Sequence, residues 1–428
     1  MKNIKTLLGA ILILALGLIL FSCQPKAKEK DLETQARQIH ERVLTVDTHA
    51  DTPSHMIEKS NWDVGQYHQP GQRQSGQIDL PRMKEGGLDA LFFAVFVGQG
   101  ERTPEGYARA QAKAAQELDA IDKMLKDYPD SVELATSPED AYRLQRQGKR
   151  AAFIGMENGY PIDKDLAMIK KYYDRGVRYI TLCHGGDNDI CDSSTDEDQP
   201  EDNGLSDFGR QVVDECNRLG IMIDVSHISD KSFFDVLKVT KAPVIASHSS
   251  VRALCDHPRN FSDEMLKALA SNGGVIQICF VSSFIKKPKP NPARDEALAA
   301  LRKKYGPWRK IKDETTLEKM QQEYQAINEK FPTEKATLKE LVDHIDYVVK
   351  LIGIDHVGIG TDFDGGGGVE GCDDVTQMPR VTEELFRRGY SEDDIRKIWG
   401  GNLMRVFSRV IEVSRKIQKA EPKTANLP

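Results

Sequence analysis

Residues 221–250 read IMIDVSHISDKSFFDVLKVTKAPVIASHSS. Two apolar, strand-like runs, Ile221–Val225 and Val244–Ala246, are each followed by a histidine, His227 and His248, 21 residues apart. Each histidine precedes residues of turn or N-cap type, Ser229-Asp230 and Ser249-Ser250, so each marks a strand-to-helix corner. A single histidine at such a corner is more often a hydrogen-bonded structural residue. Two at the same layer of consecutive strands are harder to dismiss, because neutral imidazoles are good ligands for zinc.

The same arrangement recurs along the chain. His49 and Asp51 follow a strand run in VDTHAD, and Glu157 ends one in FIGMEN. His184 closes YITLCH and Asp362 closes VGIGTD. Alternate residues of an extended segment point the same way, so His49 and Asp51 can face one ion together. A carboxylate has two oxygens and can bridge two cations, which suits Glu157. A salt bridge or an exposed position would also satisfy that carboxylate, and either alternative stays open at the level of sequence.

Eight runs have the length and β-branched content of buried parallel strands: Val43–Val46, Ala90–Val97, Ala151–Gly155, Tyr179–Leu182, Ile221–Val225, Val244–Ala246, Val275–Phe280 and Val357–Gly360. Amphipathic stretches separate most of them, among them Tyr107–Leu125, Asp207–Leu219, Ser262–Ala270 and Leu338–Leu351. Alternating strands and helices predict an α/β fold, a (β/α)8 barrel of the TIM type. Such a barrel delivers chemistry from the carboxyl ends of its strands, where the polar residues above lie. The expectation is a metal centre at the C-terminal face. Arg259, in HPRN, is a cation near the same rim, and a planar guanidinium matches a substrate carboxylate. A surface ion pair is its bland alternative. The glycines Gly365–Gly368 after Asp362 would let a substrate approach the backbone.

The chain has 428 residues and a net charge of −7, with no basic stripe, which argues against nucleic acid as a partner. Lys2, Lys5 and the apolar run Leu7–Phe21 form an export signal too short to span a membrane comfortably. Its end, Leu20-Phe21-Ser22-Cys23, resembles a bacterial lipoprotein cleavage site, with Cys23 as the acylated residue. The expected organisation is a signal peptide over 1–22, a flexible tether over 23–35, a barrel over 36–415 and a polar tail over 416–428. The barrel is interrupted by a charge-rich helical insertion over 286–332, expected to be a solvated flap above the site. The chain is expected outside the cytoplasm, held to a membrane of the bacterial envelope by lipid. Six further cysteines show no CxxC spacing, and no pairing can be read from them.

Taken together, VDTHAD, QIDLPRMKEGG, GMENG, YITLCH, IDVSH, ASHSSVRAL with RN, HVGIGTDFDG and GGNLMRVF resemble the membrane dipeptidase (renal dipeptidase) family of zinc peptidases, from about Val46 to Phe407. The resemblance implies two Zn2+ per chain. His49 and Asp51 would hold one, His227 and His248 the other, and Glu157 would bridge them. It makes His184 a catalytic and substrate contact, Arg259 the binder of the dipeptide carboxylate, and Asp362 the proton shuttle beside the first zinc. It implies a dipeptide substrate, hydrolysis by a metal-activated water, and a homodimer. The mammalian members lack the 286–332 insertion. Side-chain preference and tolerance of a D-residue at the C-terminal position are not fixed by the sequence. Two rivals share these features: a barrel hydrolase for lactones, cyclic amides or phosphoesters, and a non-catalytic lipoprotein that captures peptides.

Overall fold

A computed structural model describes residues 29–59, 62–70, 75–196, 200–306, 311 and 313–420. The signal peptide and Cys23 lie outside the described residues. Among the described residues nine strands run β1 (Val46–Ala50), β2 (Ala90–Phe96), β3 (Val132–Leu134), β4 (Arg150–Glu157), β5 (Val177–Thr181), β6 (Met222–Asp224), β7 (Ile245–Ser249), β8 (Val275–Ile278) and β9 (Val357–Ile359). All ladders are parallel, in the order β1-β2-β4-β5-β6-β7-β8-β9. The ends of this path meet at the carboxyl side, where Asp51 N donates to Phe363 O (2.9 Å) and Asp362 N to His49 O (3.0 Å). Eight parallel strands thus form a nearly closed barrel with helices around it, as expected.

Local sequence explains the helices. Ser206, Ser229 and Ser262 each accept a backbone N–H at a helix N-terminus, and Thr337 forms a capping box with Glu340. Strand residues alternate between two apolar layers. Leu91, Phe93, Ala152 and Ile154 pack outward beneath the helices. Ala90, Phe92, Phe153 and Tyr179 face inward, with Leu403 and Phe407 of the C-terminal helix (Asn402–Ala420). This inner aromatic stack, with Phe92–Phe153 and Phe92–Tyr179 centroids 4.6 and 5.4 Å apart, floors the metal-type residues above it.

Four expectations need correction. The first strand is Val46–Ala50 rather than Val43–Val46, so His49 lies inside it. The strand β3 was not foreseen; it pairs only with β4, outside the barrel path. A helix over residues 29–42 takes in the second half of the expected tether, because Ala36, Ile39 and His40 give it a face to bury. The C-terminal helix runs to Ala420, past the expected start of the tail. The insertion folds as helices Pro292–Tyr305 and Glu314–Lys330, which pack on each other. Among the described residues no helix is long and apolar enough to cross a membrane.

Candidate metal centre

Two irregular strands aim the ligands. Strict alternation from Val46, which faces inward, would turn His49 outward. The β1–β2 register shifts between Asp47 and Ala50, and His49 turns in. The β7–β8 register shifts likewise between Ala246 and Ser249, which contain His248. Elsewhere the backbone itself is bent. Asn158, His227 and Asp362 sit just past strand ends with φ of 81°, 71° and 59°. The left-handed region is unfavourable for side chains with a Cβ, by roughly 1 kcal/mol each, and such strain concentrates where a site needs it.

The result brings together every metal ligand expected from the sequence. Glu157 lies at the centre, and its two oxygens point to different partners. Oε2 faces His49 Nε2 at 3.4 Å, while Oε1 faces His227 Nε2 at 3.0 Å, His248 Nε2 at 3.4 Å and His184 Nε2 at 3.7 Å. Asp51 Oδ2 is 3.7 Å from His49 Nε2, and Asp362 joins His49 and Asp51 in a group of three convergent ligand atoms. Burial pushes the Glu157 carboxyl upward, but His49, His184, His227 and His248 together hold it well below the ordinary range. Asp362 goes the other way: desolvation and then the Asp51 charge raise it well above.

These atoms fit a cation. The buried His49 Nε2 and Asp51 Oδ1 make no hydrogen bond, which is costly unless something else satisfies them. The Nε2 atoms of His227 and His248 approach to 2.7 Å and converge on one Glu157 oxygen. Imidazole nitrogens with carboxylate oxygens are the donor set of zinc and similar divalent ions.

The second ring nitrogens of His49 and His248 are already committed. His49 Nδ1 pairs with the Tyr179 hydroxyl at 2.7 Å. His248 Nδ1 pairs with Ser247 Oγ at 2.8 Å, and Ser247 Oγ donates to Asp224 Oδ2 at 2.7 Å. Such partners fix ring orientation and leave Nε2 for a metal. Asp224 also takes Thr181 Oγ1 at 2.5 Å and Ser226 N at 3.1 Å. On the opposite side Asp47 accepts Thr361 N, Thr361 Oγ1 and His49 N, at 2.9, 2.6 and 3.2 Å. Burial pushes Asp47 up to about 6 against these bonds. Tyr179, Asp224, Asp47 and Ser247 were missed as functional residues. A signal existed for two of them: an aspartate within the apolar run before the histidine, in VDTHAD and in IDVSH.

Arg259 is not a surface ion pair. It is 4% exposed, donates from one terminal nitrogen to His248 O (3.0 Å), and leaves Nε without a partner. The glycines after Asp362 serve the carboxylates as much as any substrate. A Cβ on Gly365 would come within 2.0 Å of Asp51 Oδ2 and 2.3 Å of Asp362 Oδ1. His184 keeps the most open side chain of the cluster, 30% exposed, against the ring edge of Phe96.

Comparison with known proteins agrees with this geometry. The model of the "Membrane dipeptidase (Peptidase family M19)" family matches residues 33–421. Dipeptidase tcpJ of Claviceps purpurea is 33% identical over 366 residues, 84% of this chain and 76% of that protein. Dipeptidase aclJ of Aspergillus oryzae is 32% identical over 352 residues, 81% and 73% of the two. The crystal structure of the probable dipeptidase PvdM from Pseudomonas aeruginosa superposes with a TM-score of 0.78 at 35% identity, over 90% of this chain and 99% of that one. The chain belongs to the membrane dipeptidase family and is a dipeptidase.

Proposed function

We propose that the chain hydrolyses free dipeptides with two zinc ions per chain, one held by His49 and Asp51, the other by His227 and His248, with Glu157 between them. The observation that carries this reading is the division of Glu157: one oxygen toward His49, the other toward His227 and His248. Bound there, the cations would polarise the scissile carbonyl and acidify a water.

The chain's own residues supply the rest. The partly open His184 ring stands where it can donate to the carbonyl oxygen as charge develops. Arg259 has unused N–H capacity beside His248, suited to the substrate carboxylate, and this selects the bond before the last residue. Asp362, whose carboxylate converges with His49 and Asp51 on the same side of Glu157, can take the proton of the water and return it to the leaving amine. We also infer export, lipid attachment at Cys23 and a homodimer. Mass spectrometry of the mature N-terminus and light scattering test these; an unacylated or monomeric protein would count against them.

The direct test is a panel of dipeptides with L- and D-residues at each position, with amidated, lactone and phosphoester controls, before and after chelation. Expected are turnover of free dipeptides, a loss on amidation, and recovery with Zn2+. Tolerance of a D-residue at the C-terminal position is read from the same panel. Turnover only of lactones or phosphoesters would overturn the substrate assignment. Stoichiometric metal with no turnover of any kind would favour peptide capture.

A further inference from the structure

One buried carboxylate near the site is outside the machinery described so far. Glu117, on the helix Pro104–Asp127, is fully buried. Its Oε1 accepts from Ser54 Oγ at 2.8 Å and its Oε2 from Phe96 N at 2.7 Å, with Lys113 Nζ 3.3 Å from Oε1. The two neutral partners lead to opposite sides of the metal centre. Ser54 belongs to the short helix that starts directly after Asp51, and its N–H bonds to Asp51 O at 3.0 Å. Phe96 pairs with Glu157 in the β2–β4 register, and its ring lies edge-on to His184, centroids 4.8 Å apart. The next residue, Val97, donates to Glu157 O at 3.2 Å.

We propose that Glu117 is a positioning residue, a brace that sets the Asp51 segment and the Phe96–His184 contact relative to each other. This rests on the dipeptidase reading above. A purely structural filler at this place would be apolar, since a buried acid is costly. That cost is visible: burial pushes Glu117 up to about 7, against Lys113 and Ser54. A catalytic constellation tolerates little displacement, so a brace reaching both of its sides repays such a cost.

Two substitutions separate geometry from filling. Glu117→Leu keeps bulk and removes both acceptors. Glu117→Gln can still accept from Phe96 N with its oxygen and donate to Ser54 Oγ with its amide. The brace predicts that Glu117→Leu lowers kcat about tenfold or more and weakens Zn2+ binding to the stripped protein about tenfold. Glu117→Gln is expected to stay within roughly threefold of the parent on both counts. Ser54→Ala, a surface-side change that leaves the core intact, should weaken Zn2+ about threefold and add nothing in the Glu117→Leu background. If Glu117→Leu fails to fold, the Ser54→Ala and Glu117→Gln measurements decide the matter alone. A folded Glu117→Leu with parental kcat and Zn2+ affinity would overturn the brace, as would a Ser54→Ala variant unchanged in Zn2+ affinity. So would a Glu117→Gln variant as impaired as Glu117→Leu. Calorimetric Zn2+ binding does not depend on the substrate being right. Parent protein that binds Zn2+ but leaves dipeptides intact would sink the dipeptidase reading and leave the brace open to the binding arm.

Discussion

The two sides of Glu157 are built from different chemistry. On one side stand a single imidazole, His49, and two carboxylates, Asp51 and Asp362. On the other stand three imidazoles, His184, His227 and His248. The first side is anchored from beneath by a phenol, Tyr179, the second by a serine and a buried aspartate, Ser247 and Asp224. The first therefore concentrates negative charge, which favours cations and holds protons. The second is made of neutral donors and carries the open ring of His184 and the guanidinium of Arg259. Under the proposed mechanism the contrast becomes a division of labour: proton handling on the carboxylate side, substrate recognition on the imidazole side.

That division can be broken in graded ways. Glu157→Gln strikes both sides at once, and should lower kcat/KM by about 10³-fold or more and deplete bound metal. A metal-replete, active variant would mean that the sides do not share this carboxylate. Asp362→Asn should act on the carboxylate side alone, reducing kcat about 10²-fold with KM nearly unchanged. A rise in KM instead would move Asp362 from proton transfer to substrate binding. Arg259→Ala should act on the other side, raising KM by about 10- to 100-fold for free dipeptides and far less for their amides. Equal losses on both substrates would remove Arg259 from carboxylate recognition. Tyr179→Phe is the mildest and most selective: it should weaken only the ion on the His49 side, about tenfold, by freeing the His49 ring. Calorimetry on the stripped variant should then show one weakened site and one unchanged; two equally weakened sites would deny the separation.

Most of the fold was legible because buried parallel strands leave apolar runs and their crossover helices leave a stripe of period 3.6. The convergent histidines and carboxylates were legible as candidate ligands because each falls at the end of such a run. What escaped was what depends on packing between distant segments. The inward turn of His49 and His248 comes from register shifts that no residue type announces. Tyr179 looked like one more aromatic strand residue, and only the closed barrel brings its hydroxyl under His49. Glu117 looked like the polar face of an amphipathic helix, yet it is buried against Ser54 and Phe96. The strand β3 is three residues long and too short to give a pattern. The helix over residues 29–42 was hidden by its charged composition, since only Ala36, Ile39 and His40 of its inner face are buried deeply.

The central claim is that Glu157 stands between two cation sites of unequal character. Titrating Zn2+ into metal-stripped protein by calorimetry, with anomalous diffraction from the loaded crystal, tests it most directly. The account predicts two ions per chain, each in contact with a different oxygen of Glu157, with the ion at His49 and Asp51 bound more tightly. A single ion per chain, or two ions neither of which touches Glu157, would contradict it.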